Sequence, residues 1–339
     1  MAGAQAIDAP PRLPPFRPRA PWWGGDLQTL RNILTRARVD LSPYPERRFE
    51  LPMRDGSGDR LQAVLNNPAQ ARDVPLVVLI HGMSGCEDSA YIRAGAAHFL
   101  ALGYPVIRLN LRGAGPSRAT CRGFYYAGGS QDLRDAMAGL GHHVGEPGVV
   151  LIGYSLGGNM LIKYLAEIDA GANDETVPRA AATISVPLDL ALTARALMRP
   201  RNALYQRWLL AGLKKESTAP GAELTTDEKR AIDGARDIPE FDDRFTAPRN
   251  GFAGAADYYA HCSAARFIAR VRVPTLVIHA RDDPWIPPAA YDGVDWAANP
   301  HVTLLTTRRG GHVGFHGADD RVPWHDRRAA AFIAARCRA

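Results

Sequence analysis

Three reactive side chains follow one another in an order that suits acyl transfer. The first is Ser155. Residues 149–159 read Val-Val-Leu-Ile-Gly-Tyr-Ser-Leu-Gly-Gly-Asn, an apolar β-type run entering Gly153-Tyr-Ser-Leu-Gly157 and then a helix-like segment. A G-x-S-x-G sequence between a strand and a helix forms a nucleophile elbow, in which a sharp, strained turn thrusts the serine hydroxyl outward. Glycines two residues to either side remove Cβ atoms that would collide there. An activated serine needs a base, and the base needs an orienting carboxylate. After Ser155, a carboxylate next follows a strand in Ile278-His-Ala-Arg-Asp-Asp-Pro-Trp-Ile-Pro287, and the following strand ends in Arg308-Arg-Gly-Gly-His-Val-Gly-Phe315. His312 is the candidate base, carried on a glycine-rich loop. Asp282 and Asp283 are adjacent and point different ways. The spacing from Ala280 and to Pro287 favours Asp283 as the orienting acid, with Asp282 as the alternative.

The developing oxyanion also needs donors. Val78-Leu-Ile-His-Gly-Met-Ser-Gly85 ends an early strand, and in this arrangement one donor is the amide after the nucleophile and another comes from such a loop. The candidates are the backbone N–H groups of Leu156 and Met83. Their side chains are free to form pocket wall. His81 and His279 read as structural, and His142-His143 reads as a solvated loop.

These residues need strands to hold them. Short continuous apolar runs at 75–81, 105–110, 148–154, 181–186, 275–279 and 301–306 suit parallel strands buried on both faces. Helical stretches at 89–102, 130–142, 159–169 and 326–338 alternate with them, which predicts an α/β fold with right-handed crossovers. Residues 48–53 and 61–65 flank a glycine turn and read as a hairpin. Acid and base both fall just past strand C-termini, where open α/β sheets hold ligands. Between residues 186 and 275 the rhythm breaks, and a structureless loop that long is implausible. The expected organisation is an N-terminal arm over 1–45, an α/β core over 46–186 and 270–339, and a helical cap inserted over 187–269, before the acid-bearing strand. Trp208, Leu209, Leu210 and Leu213 are candidate walls for an acyl chain under that cap.

The 339 residues are 46% hydrophobic and 22% charged, an ordinary globular composition. The N-terminus is rich in Pro and Arg without an apolar core of the signal-peptide kind, so the expected location is cytoplasmic. The four cysteines, at 86, 121, 262 and 337, lack metal-site spacing and are expected to be reduced. Net charge is +6, but the arginines are scattered and no basic stripe interleaves with aromatics, which weighs against attraction to nucleic acid or anionic lipid. The chemistry requires no cofactor and no metal. Oligomeric state leaves no mark on the sequence.

Together these segments resemble the YheT-type α/β-hydrolases, a family that includes plant embryogenesis-associated proteins and animal α/β-hydrolase-domain proteins. The resemblance spans nearly the whole chain. It is carried by Pro21-Trp-Trp-Gly-Gly-Asp-Leu-Gln-Thr-Leu30, by His81-Gly-Met-Ser-Gly85 with Ser89 and Tyr91, and by Leu111-Arg-Gly-Ala-Gly-Pro-Ser117. Phe241-Asp-Asp-Arg-Phe-Thr-Ala-Pro248, Gly251-Phe252 and Asp257-Tyr-Tyr259 carry it through the cap. The resemblance implies nucleophile, acid and base at Ser155, Asp283 and His312. It implies hydrolysis of small-molecule carboxylic esters, with medium-chain acyl or phospholipid-like substrates, and leaves peripheral membrane or lipid contact open. No histidine is followed by Asp five residues on, so the acyltransferase signature H-x₄-D is missing. Acyl transfer or thioester cleavage by the same residues, and a non-catalytic binding module on the same fold, stand as alternatives.

Overall fold

A computed structural model describes residues 14–70, 72–168 and 176–337. Eight strands form one sheet: β1 (Glu46–Pro52), β2 (Arg60–Asn66), β3 (Leu76–Ile80), β4 (Val106–Leu109), β5 (Val149–Tyr154), β6 (Ala180–Ile184), β7 (Thr275–Ala280) and β8 (Val302–Thr307). Their order across the sheet is β1-β2-β4-β3-β5-β6-β7-β8. The hairpin β1–β2 joins antiparallel, β2 meets β4 antiparallel, and every pairing from β4 to β8 is parallel. Strands β3, β5, β6 and β7 are buried at every position, which is why they read as unbroken apolar runs.

Helix α1 (Gly25–Leu34) precedes the sheet. Helices α2 (Ala90–Ala101), α3 (Ser130–Gly139) and α4 (Leu156–Glu167) alternate with strands, and the crossover from β6 to β7 carries α5 (Leu190–Leu197), α6 (Ala203–Ser217) and α7 (Thr226–Gly234). It continues with α8 (Ile238–Phe241), a π-helical turn over Asp242–Thr246, α9 (Ala247–Arg249) and α10 (Ala255–Cys262). A short α11 (Ala289–Asp292) and a long α12 (Trp324–Cys337) complete the described helices. Met160, Leu161 and Leu165 of α4 and Leu133 and Met137 of α3 build the core on one face of the sheet. Ile92 and Phe99 of α2 and Phe332 and Ile333 of α12 build it on the other. A smaller core of Leu197, Leu209, Leu213, Phe241 and Phe245 holds the crossover helices together.

This is the α/β-hydrolase fold expected from the sequence. Residues 1–13 of the expected arm and the ends of two expected helices, at 169 and 338, lie outside the described residues. Within the arm, residues 25–34 form α1, a helix the sequence reading did not contain. All four cysteines are free thiols. No described helix is long and apolar enough to cross a membrane.

Candidate active site

The elbow forms where β5 runs into α4. Ser155 sits between them with φ 50° and ψ −121°, a left-handed conformation that a non-glycine residue adopts only when its surroundings impose it. Its amide is tied to Ile184 O at 2.8 Å. Gly157 is required by close approach: a Cβ there would stand 2.2 Å from the carbonyl oxygen of His81. That contact locks the first turn of α4 against the loop after β3.

His312 Nε2 lies 2.9 Å from Ser155 Oγ, and its Nδ1 lies 2.8 Å from Asp283 Oδ2. With Nδ1–H donating to the carboxylate, Nε2 presents a lone pair to the serine hydroxyl. Asp283 is buried, and its Oδ1 accepts from the amides of Trp285 (2.9 Å) and Ile286 (3.1 Å). Burial pushes this carboxyl upward. The charge and hydrogen bond of His312, with the neighbouring amide, outweigh burial and hold it below the ordinary aspartate value. Asp282 points elsewhere, accepting from Gly311 N at 2.9 Å. It braces the histidine loop and does not meet the imidazole.

The histidine loop leans on the far end of the chain. His312 N donates to Thr29 Oγ1 (2.8 Å), and His316 N donates to Gln28 Oε1 (2.6 Å). Gln28 Nε2 returns bonds to Trp22 O (2.7 Å) and His316 O (3.2 Å). Gly311 takes φ +62°, and a Cβ on it would lie 2.3 Å from Gly25 O, so α1 packs directly on this loop. The sequence reading assigned Gln28 and Thr29 no task; their one signal was membership of the Pro21–Leu30 element, which marks a resemblance without a role. Asp282, weighed there as the alternative acid, serves the loop instead.

The loop after β3 carries Met83, one of the two candidate donors. Gly82 N donates to Tyr91 Oη (2.9 Å) and Ser84 N donates to Tyr125 Oη (2.7 Å). Between these two anchored amides, Met83 N has no backbone acceptor among the described residues. Leu156 is the first residue of α4, where an amide has no partner within the helix. Tyr125 passes the support onward, donating to Glu216 Oε2 of α6 at 2.9 Å. The crossover helices thus reach the β3 loop through a phenol, beside the direct approach of Gly212 to Ser84. Burial, opposed by Tyr125 and Arg118, pushes the Glu216 carboxyl up to about 7. His81 is structural, as expected: Nδ1 contacts Gly82 O (2.7 Å), Nε2 accepts from Leu111 N (3.0 Å), and burial lowers it to about 4. His279 is buried and stacks on Tyr291, with ring centroids 3.8 Å apart.

Ser155, His312, Met83 and Leu156 open onto a cavity of about 110 Å³ roofed by the crossover helices. Its walls are mainly apolar, including Phe124, Leu190, Leu197, Phe241 and Phe245. Of the four wall candidates on α6, Leu209 and Leu213 line the cavity. Leu210 packs within the helical core instead, and Trp208 turns to the outside. The helical period explains the split, since positions 209 and 213 share one face and 208 lies on another. Trp285 covers the imidazole, with ring centroids 4.1 Å apart.

A serine at an elbow, an imidazole and a carboxylate thus stand in one hydrogen-bonded line on an α/β-hydrolase fold. The chain belongs to the alpha/beta hydrolase fold family, which it matches over residues 75–319. It is 34% identical over 297 residues to "Putative esterase YheT" of Escherichia coli K12, covering 86% of this chain and 84% of that protein. "Phospholipase ABHD3" of Mus musculus is 32% identical, covering 74% of this chain and 61% of the mouse protein. Among solved structures, the Pyrococcus furiosus esterase Pf2001 matches with a TM-score of 0.58 at 18% identity, covering 88% of this chain and 96% of that one, a likeness of fold. By kinship this chain is a carboxylic ester hydrolase.

Proposed function

We propose that the protein is a serine esterase that cleaves small-molecule esters of apolar acyl groups through an acyl-enzyme. The observation that carries this reading is the unbroken line from Ser155 Oγ through His312 to Asp283, at the mouth of an apolar cavity. His312 Nε2 takes the serine proton as Oγ attacks the ester carbonyl. Asp283 holds the tautomer and stabilises the imidazolium. The amides of Met83 and Leu156 receive the oxyanion, a role worth on the order of 10²–10³ in rate per donor. His312 then gives its proton to the departing alcohol. Water, deprotonated by the same imidazole, releases the carboxylic acid and restores Ser155.

The acyl group occupies the cavity between Met83, Phe124 and Leu213. Four free thiols accord with a reducing, cytoplasmic setting. The test is turnover of a p-nitrophenyl ester series by wild-type protein and by Ser155→Ala. The substitution should lower kcat by at least about 10⁴-fold and abolish labelling by a fluorophosphonate. Retained turnover, or labelling elsewhere with activity lost in parallel, rules the mechanism out.

A further inference from the structure

The largest exposed apolar side chains gather beside the active-site mouth. Trp23, Leu27 and Leu34, on and just before α1, are 58%, 39% and 59% exposed, and Leu204 and Trp208 of α6 are 79% and 54% exposed. A spacing of seven residues places Leu27 and Leu34 on one stripe of α1, and Trp23 is exposed just before its N-cap. Leu204, Trp208 and Ala211 form another along the outer face of α6. The stripes adjoin, because Asp26 of α1 pairs with Arg201 (2.9 Å) and accepts from Tyr205 Oη (3.0 Å) at the start of α6. Tyr205 and Trp208 in turn stand 5.5 and 6.4 Å from the ring of Trp285, which covers His312.

Charge follows the same geography. Residues 16–39 and 190–215 together hold eleven Arg and Lys against one acid, Asp26. The rest of the chain holds 30 basic residues against 34 acidic ones. The two segments that bear the exposed apolar stripes are therefore net positive, while the rest of the chain is net negative. Arg195, Arg199 and Arg207 are exposed and form no ion pair among the described residues.

We propose that this α1–α6 face docks on an anionic lipid bilayer, with the active-site mouth turned toward the lipid. Trp and Leu side chains flanked by arginine are the composition that seats a helix at a membrane interface. Acidic headgroups supply the counter-charge for the arginines. Nucleic acid would match the charge but not the exposed leucines. In the docked orientation Trp208 sits at the boundary, and Trp285 beyond it marks the way to Ser155. That orientation rests on the esterase reading. The docking itself does not.

The test uses Ser155→Ala protein, which binds without turnover, in flotation with vesicles of phosphatidylcholine alone or with about one third phosphatidylglycerol. Wild-type surface should float with the anionic vesicles at least ten-fold more than with neutral ones. High salt should reverse most of that partition. Leu34→Glu with Leu204→Glu should lower it at least ten-fold. Both side chains lie outside the cavity, so the same pair in Ser155-containing protein should leave p-nitrophenyl acetate turnover unchanged. Equal flotation of the double variant, or none by the wild-type surface, overturns the proposal. So does a dimer that the double variant dissolves, which would assign the face to a second copy. Binding that appears only after residues 1–13 are removed would assign it to the chain's own beginning and overturn it likewise. If flotation fails while ester turnover persists, docking falls and the esterase reading stands.

Discussion

Glu216 gives the sharpest prediction, because its carboxyl is buried among the crossover helices yet holds, through Tyr125, the loop that carries Met83. In the unfolded chain it releases its proton near 4.5, and in the folded protein at about 7. Between those values the folded state holds a proton that the unfolded state has lost. Stability therefore falls as pH rises through this window, and the penalty is complete above about pH 7. A displacement of about 2.5 pH units, at 1.36 kcal/mol for each, amounts to about 3 kcal/mol. Glu216→Gln removes the charge but keeps an oxygen that accepts from Tyr125. Urea unfolding at pH 4 and pH 8, with unchanged m-values, should find the variant nearly level with wild type at the lower pH. At the higher it should be more stable by about 3 kcal/mol. His81 and Asp242 are also displaced, but they are common to both proteins and cancel in the difference. A stability difference that is the same at both pH values, or a variant less stable at pH 8, refutes the reasoning. Glu216→Gln should also retain esterase activity, whereas Glu216→Ala, which withdraws support from Tyr125 and the Ser84 amide, should lower kcat.

The two adjacent aspartates separate by conservative substitution. Asp283→Asn should lower kcat about 10⁴-fold through loss of the imidazole tautomer, while Asp282→Asn, whose amide oxygen still accepts from Gly311, should stay within about 10-fold of wild type. Thr29→Val leaves the buried amide of His312 without an acceptor, so kcat should fall by about one to two orders of magnitude, with Thr29→Ser restoring it. Arg112 forks onto Asp132 at 3.0 and 2.7 Å and reaches Asp59 at 2.9 Å, all three buried. Arg112→Ala strands two buried carboxylates and should cost about 3–5 kcal/mol, read by chemical denaturation at pH 7.

Much of this site was legible because its physics is local. A turn as tight as Gly153–Gly157 needs its glycines next to its serine, and strands buried on both faces leave continuous apolar runs at 76–80 and 149–154. The task of α1 was hidden by an inversion of the usual pattern. Its buried side chain is Gln28, turned inward to satisfy backbone groups of the histidine loop, and its apolar stripe faces outward. Hydrophobic periodicity looks for the opposite arrangement. The link from Glu216 to Tyr125 crosses 91 positions, which no spacing rule reaches. In α6 the pattern announced a helix but not its orientation. Leu209 and Trp208 are neighbours in sequence, yet one meets the cavity and the other meets solvent.

Thr29 and His312 stand 283 positions apart, and that distance orders events during synthesis. The elbow is complete once β3, β5, α4 and β6 have emerged, since its contacts to Ile80, His81, Gly158 and Ile184 come from those elements. The imidazole arrives 128 residues after Ile184 and must find α1, made well before either. A contact of such long range closes late, after the loop entropy between its ends has been overcome. A partly made chain therefore carries a nucleophile without a base. The candidate site is completed only when His312 has met α1, so the onset of ester turnover during translation should report that these two distant segments have come together.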